Sequence, residues 1–179
     1  MILGVVLAGG QSSRFGSDKA LAELRGRTLI ARAVDTLAGW CEHVVVVGRE
    51  TAPAPTLPDW PRPGMGPLAG LTAALHFARD EDYEAVLSIG VDTLGLPDDL
   101  PRVLEPAPAF LGDCPIVGLW PPGAAEAAEA ILTRPGSHAM RVFAKAIGAR
   151  RIESARVSAN VNTPADLVAL EQLFDQRLA

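Results

Sequence analysis

The chain has 179 residues, 49% of them apolar and 21% charged, with a formal net charge of −5. That length suits one compact domain with a sizeable core and is short for two. The acidic balance argues against a nucleic-acid or anionic-membrane binder, which is usually basic, but leaves room for a local phosphate pocket.

Ile2–Leu7 (ILGVVL) predicts a strand buried on both faces, and it is too short for a signal-peptide core or a membrane span. Thr28–Trp40 follows with Leu29, Ala33, Leu37 and Trp40 at helical spacing and Thr28 as its cap, and His43–Gly48 predicts a second buried strand. A proline-rich passage from Pro53 to Pro67 breaks regular structure before a helix over Leu68–Asp80 and a third strand over Glu84–Gly90. Pro97, Asp98 and Asp99 read as a helix N-terminus, the acids facing its dipole. Cys114–Trp120 predicts a strand, GAAEAAEAILTR and HAMRVFAKAIG two helices, and RRIES a short late strand. The last helix starts at Thr163 as cap with Pro164 in its first position. Strand–helix alternation with continuous apolar strands implies an α/β domain over residues 1–179, its mostly parallel sheet covered by helices, with no internal repeat. Cys41 and Cys114 have no CxxC or Cys/His cluster around them, so neither a disulfide framework nor a zinc site is expected, and a cytoplasmic location is.

The most informative stretch is LAGGQSSRFGSDKAL, Leu7 to Leu21. It leaves the carboxyl end of the first strand, where open α/β sheets bind ligands. Its glycines let backbone N–H groups approach a phosphate, Arg14 offers forked hydrogen bonds to phosphate oxygens, and Lys19 offers a compact charge. A Walker loop does not match, because Gly10 to Gly16 is too wide and Lys19 is not adjacent, and the dinucleotide fingerprint GxGxxG is absent. The bland alternative is a glycine turn with two solvated cations.

This stretch resembles the signature LAGGxSxRxGxDKAL of the molybdenum cofactor guanylyltransferases, nucleotidyltransferases with a three-layer, Rossmann-like sheet. The resemblance implies transfer of GMP from GTP to molybdopterin with release of pyrophosphate. It also implies that Leu7, Ala8, Gly9 and Gly10 line the nucleotide while Arg14 and Lys19 hold its phosphates. Three further blocks follow in order. Gly66–Leu75 is similar to the family's GPLAG block, with Gly66 and Gly70 leaving room for a base or ribose, although Pro67 at a helix start explains the same residues. Asp59, seven residues before Gly66, matches the family aspartate that pairs with guanine, whose N1–H and exocyclic amine form a donor pair that cytosine lacks; otherwise it is a loop aspartate.

Asp92 follows the third strand and matches the family's Mg²⁺ ligand. Its flanks, Gly90-Val91 and Thr93-Leu94, depart from the family's Pro-Cys-Asp-x-Pro. VSANVNTPADL resembles the closing block NxNTPxDL, which assigns Asn160 and Asn162 to a pterin edge or the metal region, while Thr163-Pro164 also serve as a helix start. Val47 and Gly48 stand where the family commonly has a nucleotide-contacting Asn, and Cys114-Pro115 where it often has His-Pro. Arg141 is a candidate substrate-side cation, unless Ser137 and its neighbours simply begin a helix, and His76 and His138 read as packing or surface residues.

The expected reaction is an in-line attack by the terminal phosphate of molybdopterin on the α-phosphorus of GTP, with Mg²⁺ as cofactor and Arg14, Lys19 and Asp92 as catalytic residues. The attacking oxygen is already ionised, so no general base is needed. The expected partners are GTP, molybdopterin and a molybdoenzyme or cofactor-delivery protein, with no nucleic acid and no membrane. Three alternatives stay open at this point: the same transfer from CTP, nucleotidyl transfer to another small phosphate, and nucleotide binding without turnover.

Overall fold

The computed structural model describes residues 1–9, 18–153, 159–161 and 163–176. The first segment, β1 (Ile2–Leu7), is followed by a small hairpin, β2 (Glu23–Leu24) and β3 (Arg27–Thr28), then α1 (Leu29–Ala38) and β4 (His43–Val47). Next come β5 (Thr56–Leu57), α2 (Pro67–Asp80), β6 (Ala85–Gly90), β7 (Thr93–Leu94) and α3 (Leu100–Leu104). The remainder is β8 (Ala109–Leu111), β9 (Cys114–Trp120), α4 (Ala125–Leu132), α5 (Met140–Ala146), β10 (Arg150–Ile152), β11 (Ala159–Asn160) and α6 (Pro164–Gln176).

Seven strands form one sheet in the order β10-β8-β9-β6-β1-β4-β5. β9 alone among them runs antiparallel to its neighbours. Two strands of this sheet are not expected from the sequence pattern. β5 is two residues long and lies at the edge of the sheet, inside the proline-rich passage. β8 is three residues long and follows Pro106 and Pro108. Neither is long enough to display a periodicity, and both adjoin prolines that signal a break in regular structure.

Alternate residues of β1 feed opposite cores. Leu3, Val5 and Leu7 join α2, α4 and α5 residues such as Leu71, Leu75, Ala128 and Phe143 on one face. Val6 and Ala8 join Ile30, Ala33 and Leu37 of α1 and Leu100 and Leu104 of α3 on the other. The result is the three-layer arrangement expected of a buried, mostly parallel sheet. Trp120, fully buried, donates its indole N–H to Ser88 Oγ at 2.8 Å, and the Ser88 hydroxyl donates to the Ile116 carbonyl at 2.6 Å, so the polar atoms in this part of the core are satisfied.

The helix starts follow from local chemistry. Thr28 Oγ1 accepts from Ala31 N–H at 3.3 Å, as its predicted cap role requires. At α6 the Thr163 hydroxyl accepts from Asp166 N–H at 3.3 Å and the Asp166 carboxylate accepts from Thr163 N–H at 2.8 Å, a reciprocal capping box. Asp99 occupies the N-cap of α3 without a side-chain cap bond. Among the described residues no helix is long and apolar enough to cross a membrane.

Candidate active site

The carboxyl ends of β6, β1 and β4 lie side by side, with Leu7 in register with Gly90 on one flank and Val47 on the other. The chain leaving each end therefore meets the others over the same edge of the sheet. Ala8 N–H continues the ladder to the Val47 carbonyl at 3.1 Å, and Val91 N–H donates to the Leu7 carbonyl at 3.2 Å. Gly9 and Gly48 then press together: a Cβ on Gly9 would stand 3.1 Å from Gly48 Cα and 3.8 Å from Asp59 Oδ2. Asp59 is thus beside the exposed Gly9, on the β4 side of the edge. Partial burial pushes its carboxyl above the ordinary aspartate range.

On the β6 side, Lys19 Nζ contacts Asp92 Oδ2 at 2.5 Å, the two side chains being 13% and 26% exposed. Residues distant in sequence, one at the end of the glycine loop and one after β6, therefore meet as a half-buried ion pair. The Asp92 carboxylate folds back over Gly90, where an added Cβ would lie 2.7 Å from Asp92 Oδ1 and 3.0 Å from Thr93 Oγ1. Thr93 is buried, and its hydroxyl has no hydrogen-bond partner among the described residues. The closing block docks here through its backbone: Val161 N–H donates to the Asp92 carbonyl at 3.2 Å, and Asn160 pairs with Thr93 across the β7–β11 bridge.

Asp18 precedes Lys19 and is held from two directions. Its Oδ1 accepts from Ala20 N–H at 3.2 Å, capping a 3-10 turn over Lys19–Leu21 whose Ala20 is buried. The Arg49 guanidinium grips both carboxylate oxygens, at 2.8 and 2.7 Å. That grip holds the Asp18 carboxyl below its usual range and pushes Arg49 up.

These features match a known family. The MobA-like NTP transferase domain family matches residues 4–156. The molybdenum cofactor guanylyltransferase of Acidiphilium cryptum is 38% identical over 93% of this chain and 92% of its own length. That of Rhodobacter capsulatus is 36% identical over 98% and 97%. The chain belongs to the molybdenum cofactor guanylyltransferases. The fold agrees: molybdopterin-guanine dinucleotide biosynthesis protein A from Archaeoglobus fulgidus superposes with a TM-score of 0.77 at 20% identity, covering 97% of this chain and 99% of that one.

The family's motif residues are distributed unevenly over the edge just described. Lys19, Asp92, Gly9 and Asp59 converge on it, and Ala8 leads into it. Leu7 contributes backbone only, because its side chain is buried against α2. Asn160 is present through its backbone pairing with Thr93. Gly10, Arg14 and Asn162 lie outside the described residues. Gly70 requires a correction. It is buried, and a Cβ there would meet Val47 Cγ2 at 2.5 Å and Leu7 Cδ2 at 3.2 Å, so the sheet occupies the space left by its missing side chain and none is open to a base or ribose.

The other candidates lie elsewhere. Arg141 donates to the Gly112 carbonyl at 3.0 Å. His76 pairs with Glu129 at 2.6 Å between α2 and α4, and His138 contacts the Arg134 carbonyl at 3.3 Å. A groove of about 400 Å³ between α4 and α5, lined in part by Ile131, Arg134 and Val142, contains none of the motif residues. Burial pushes the Cys41 thiol up to about 12, so it stays protonated and unreactive.

The donor set suits Mg²⁺ arriving with a nucleotide. Mg²⁺ is typically held by one or two carboxylates plus substrate phosphates. Here one carboxylate, Asp92, and the Thr93 hydroxyl, which has no partner among the described residues, both border the space over Gly90. Among the described residues no cluster of three or more His, Cys, Asp or Glu forms a protein cage for a metal. Asp18, Arg49, Gly90 and Thr93 received no role from the sequence. Asp18 lies within the DKAL motif, and Arg49 carries a charge just beyond a strand end.

Proposed function

We propose that this chain, acting as one nucleotidyltransferase domain, transfers GMP from GTP to molybdopterin in an Mg²⁺-dependent reaction that yields molybdopterin guanine dinucleotide and pyrophosphate. The observation that carries this reading is the Lys19–Asp92 pair at the carboxyl ends of β1 and β6, in a chain 38% identical to a molybdenum cofactor guanylyltransferase. It brings a phosphate-binding cation and a metal-binding carboxylate to one point. Asp59, across the same edge beside Gly9, accepts from guanine N1–H and the exocyclic amine. The glycine backbone from Gly9 onward allows the triphosphate to approach the end of β1.

An oxygen of the molybdopterin phosphate forms a bond to the α-phosphorus as the bond to the β-phosphate bridging oxygen breaks. The electron pair leaves with pyrophosphate. Lys19 and Arg14 offset the charge that spreads over the phosphate oxygens, and Asp92 would hold the metal. When bound, Mg²⁺ supplies Lewis-acid stabilisation of the phosphates. The chain's own contribution is positioning and fixed charge, because the ionised acceptor oxygen needs no proton removed.

GTP, CTP, ATP and UTP compared as donors, each with Mg²⁺ and molybdopterin, test this by pyrophosphate release. Release from GTP well above the other three is expected. Release from CTP with none from GTP would overturn the guanylyl assignment, and release from none would overturn the enzymatic reading.

A further inference from the structure

Arg49 is an unusual place to spend a guanidinium. Its side chain is 20% exposed, both terminal nitrogens are committed to one carboxylate, and its Nε is buried with no partner among the described residues. An exposed ion pair contributes little to stability, and a buried donor without a partner costs free energy, so stability alone explains this arrangement poorly. What the arrangement does accomplish is geometric. Arg49 follows Gly48, which is pressed against Gly9, so the arginine is rooted where β4 and β1 end. From there it forks onto Asp18, whose carboxylate also caps the turn that begins at Lys19.

Lys19 has a long flexible stem, and its ammonium can be aimed only if its backbone is fixed. Ala20, buried in the core, fixes the residue after it; the Arg49–Asp18 fork fixes the residue before it. We infer that Arg49 is a positioning residue for the reaction, aiming Lys19 at the phosphates by locking Asp18 to the end of β4. The inference rests on the proposed role of Lys19. It gives the site a rigid link from the base side, where Gly9, Gly48 and Asp59 meet, to the phosphate side, where Lys19 meets Asp92. A planar fork is needed, because a lysine ammonium cannot engage both carboxylate oxygens in parallel.

The test is steady-state guanylyl transfer by Arg49→Ala, Arg49→Lys, Asp18→Asn and the Asp18→Asn/Arg49→Ala double variant, with a thermal melt of each. A misaimed Lys19 loses stabilisation that matters most in the transition state, so kcat should fall about tenfold while KM for GTP changes less than about threefold. Arg49→Lys should recover only part of kcat. The double variant should be no slower than the slower single variant, because the two residues act as one unit. Variants that melt earlier but keep full kcat, or losses that multiply in the double variant, would overturn the inference. Lys19→Ala separates the two levels. If it is inactive while Arg49→Ala and Asp18→Asn turn over normally, only the positioning role fails. If Lys19→Ala is itself fully active, the proposed role of Lys19 fails and the inference falls with it.

Discussion

Gly48→Ala probes the contact on which the nucleotide edge is built. Gly48 has φ +82°, and a Cβ there would lie 2.4 Å from Gly9 Cα and 2.5 Å from Gly9 N. Two costs therefore add. Alanine in a left-handed conformation costs about 1 kcal/mol or slightly more. Pushing a methyl into packed backbone costs about 1–3 kcal/mol, here toward the upper end because the neighbour is main chain and cannot rotate aside. The sum, about 2–4 kcal/mol, is a large share of a typical domain's stability. Gly26→Ala is the control: its φ is +72°, but nothing stands within 4 Å of the added Cβ, so it carries the first cost alone. Urea unfolding of both variants gives the difference, and calorimetric titration with GTP shows whether a displaced Gly9 also weakens the nucleotide site. The expected outcome is a Gly48 variant at least about 1 kcal/mol less stable than the Gly26 variant and at least tenfold weaker for GTP. Equal stabilities with unchanged GTP affinity would show that the two strand ends are free to separate, and the close approach would not define the site.

Two further variants probe neighbouring positions. Asp59→Asn should lower kcat/KM for GTP by about a hundredfold, since two charge-assisted hydrogen bonds are replaced by mismatched amide contacts. Because burial raises the Asp59 pKa in the folded chain, its ionised form opposes folding, and that opposition sets in as pH rises through the folded value; the Asn variant should melt slightly higher than the parent at pH 7, with the gap closing as pH falls to 4. Gly70→Ala should destabilise by about 1–3 kcal/mol through its collision with Val47 and Leu7, measured by thermal melt, while donor preference among GTP and CTP stays unchanged.

The strands and long helices were legible because their signals are local. β1 and β9 have the predicted bounds, and Thr28 and Thr163 cap helices as their hydroxyls suggested. The antiparallel direction of β9 was not legible, because a strand's residues report burial rather than direction. The same distinction separates the site residues. Lys19 and Asp92 carry charge in recognisable motifs, so the sequence pointed at them before the fold joined them. Gly70 has the same motif standing, yet only tertiary contact reveals that its missing side chain serves α2 packing on the sheet. Arg49 and Asp18 show the converse. Thirty-one positions apart, neither predicts the other, and their pairing depends on β4 lying next to β1.

The Lys19–Asp92 pair sets up a prediction with an unusual sign. Each group neutralises the other at 2.5 Å, so Lys19 must leave Asp92, or share it, to meet a phosphate. Without a divalent ion, Asp92 also repels the triphosphate directly. Asp92→Asn removes both obstacles. At an effective dielectric of 20 to 80, a unit charge a few ångströms away is worth about 1–4 kcal/mol before screening, and the nearby Lys19 ammonium, which already offsets part of the carboxylate's charge, brings that to about 1 kcal/mol. GTP should therefore bind Asp92→Asn about five times more tightly than the parent chain in EDTA, while pyrophosphate release with Mg²⁺ and molybdopterin falls at least a hundredfold. Titration calorimetry in EDTA decides the first half and the release assay the second. Weaker GTP binding by the variant in EDTA would mean that Asp92 holds the nucleotide without a metal, and the division of labour between these two residues would have to be redrawn.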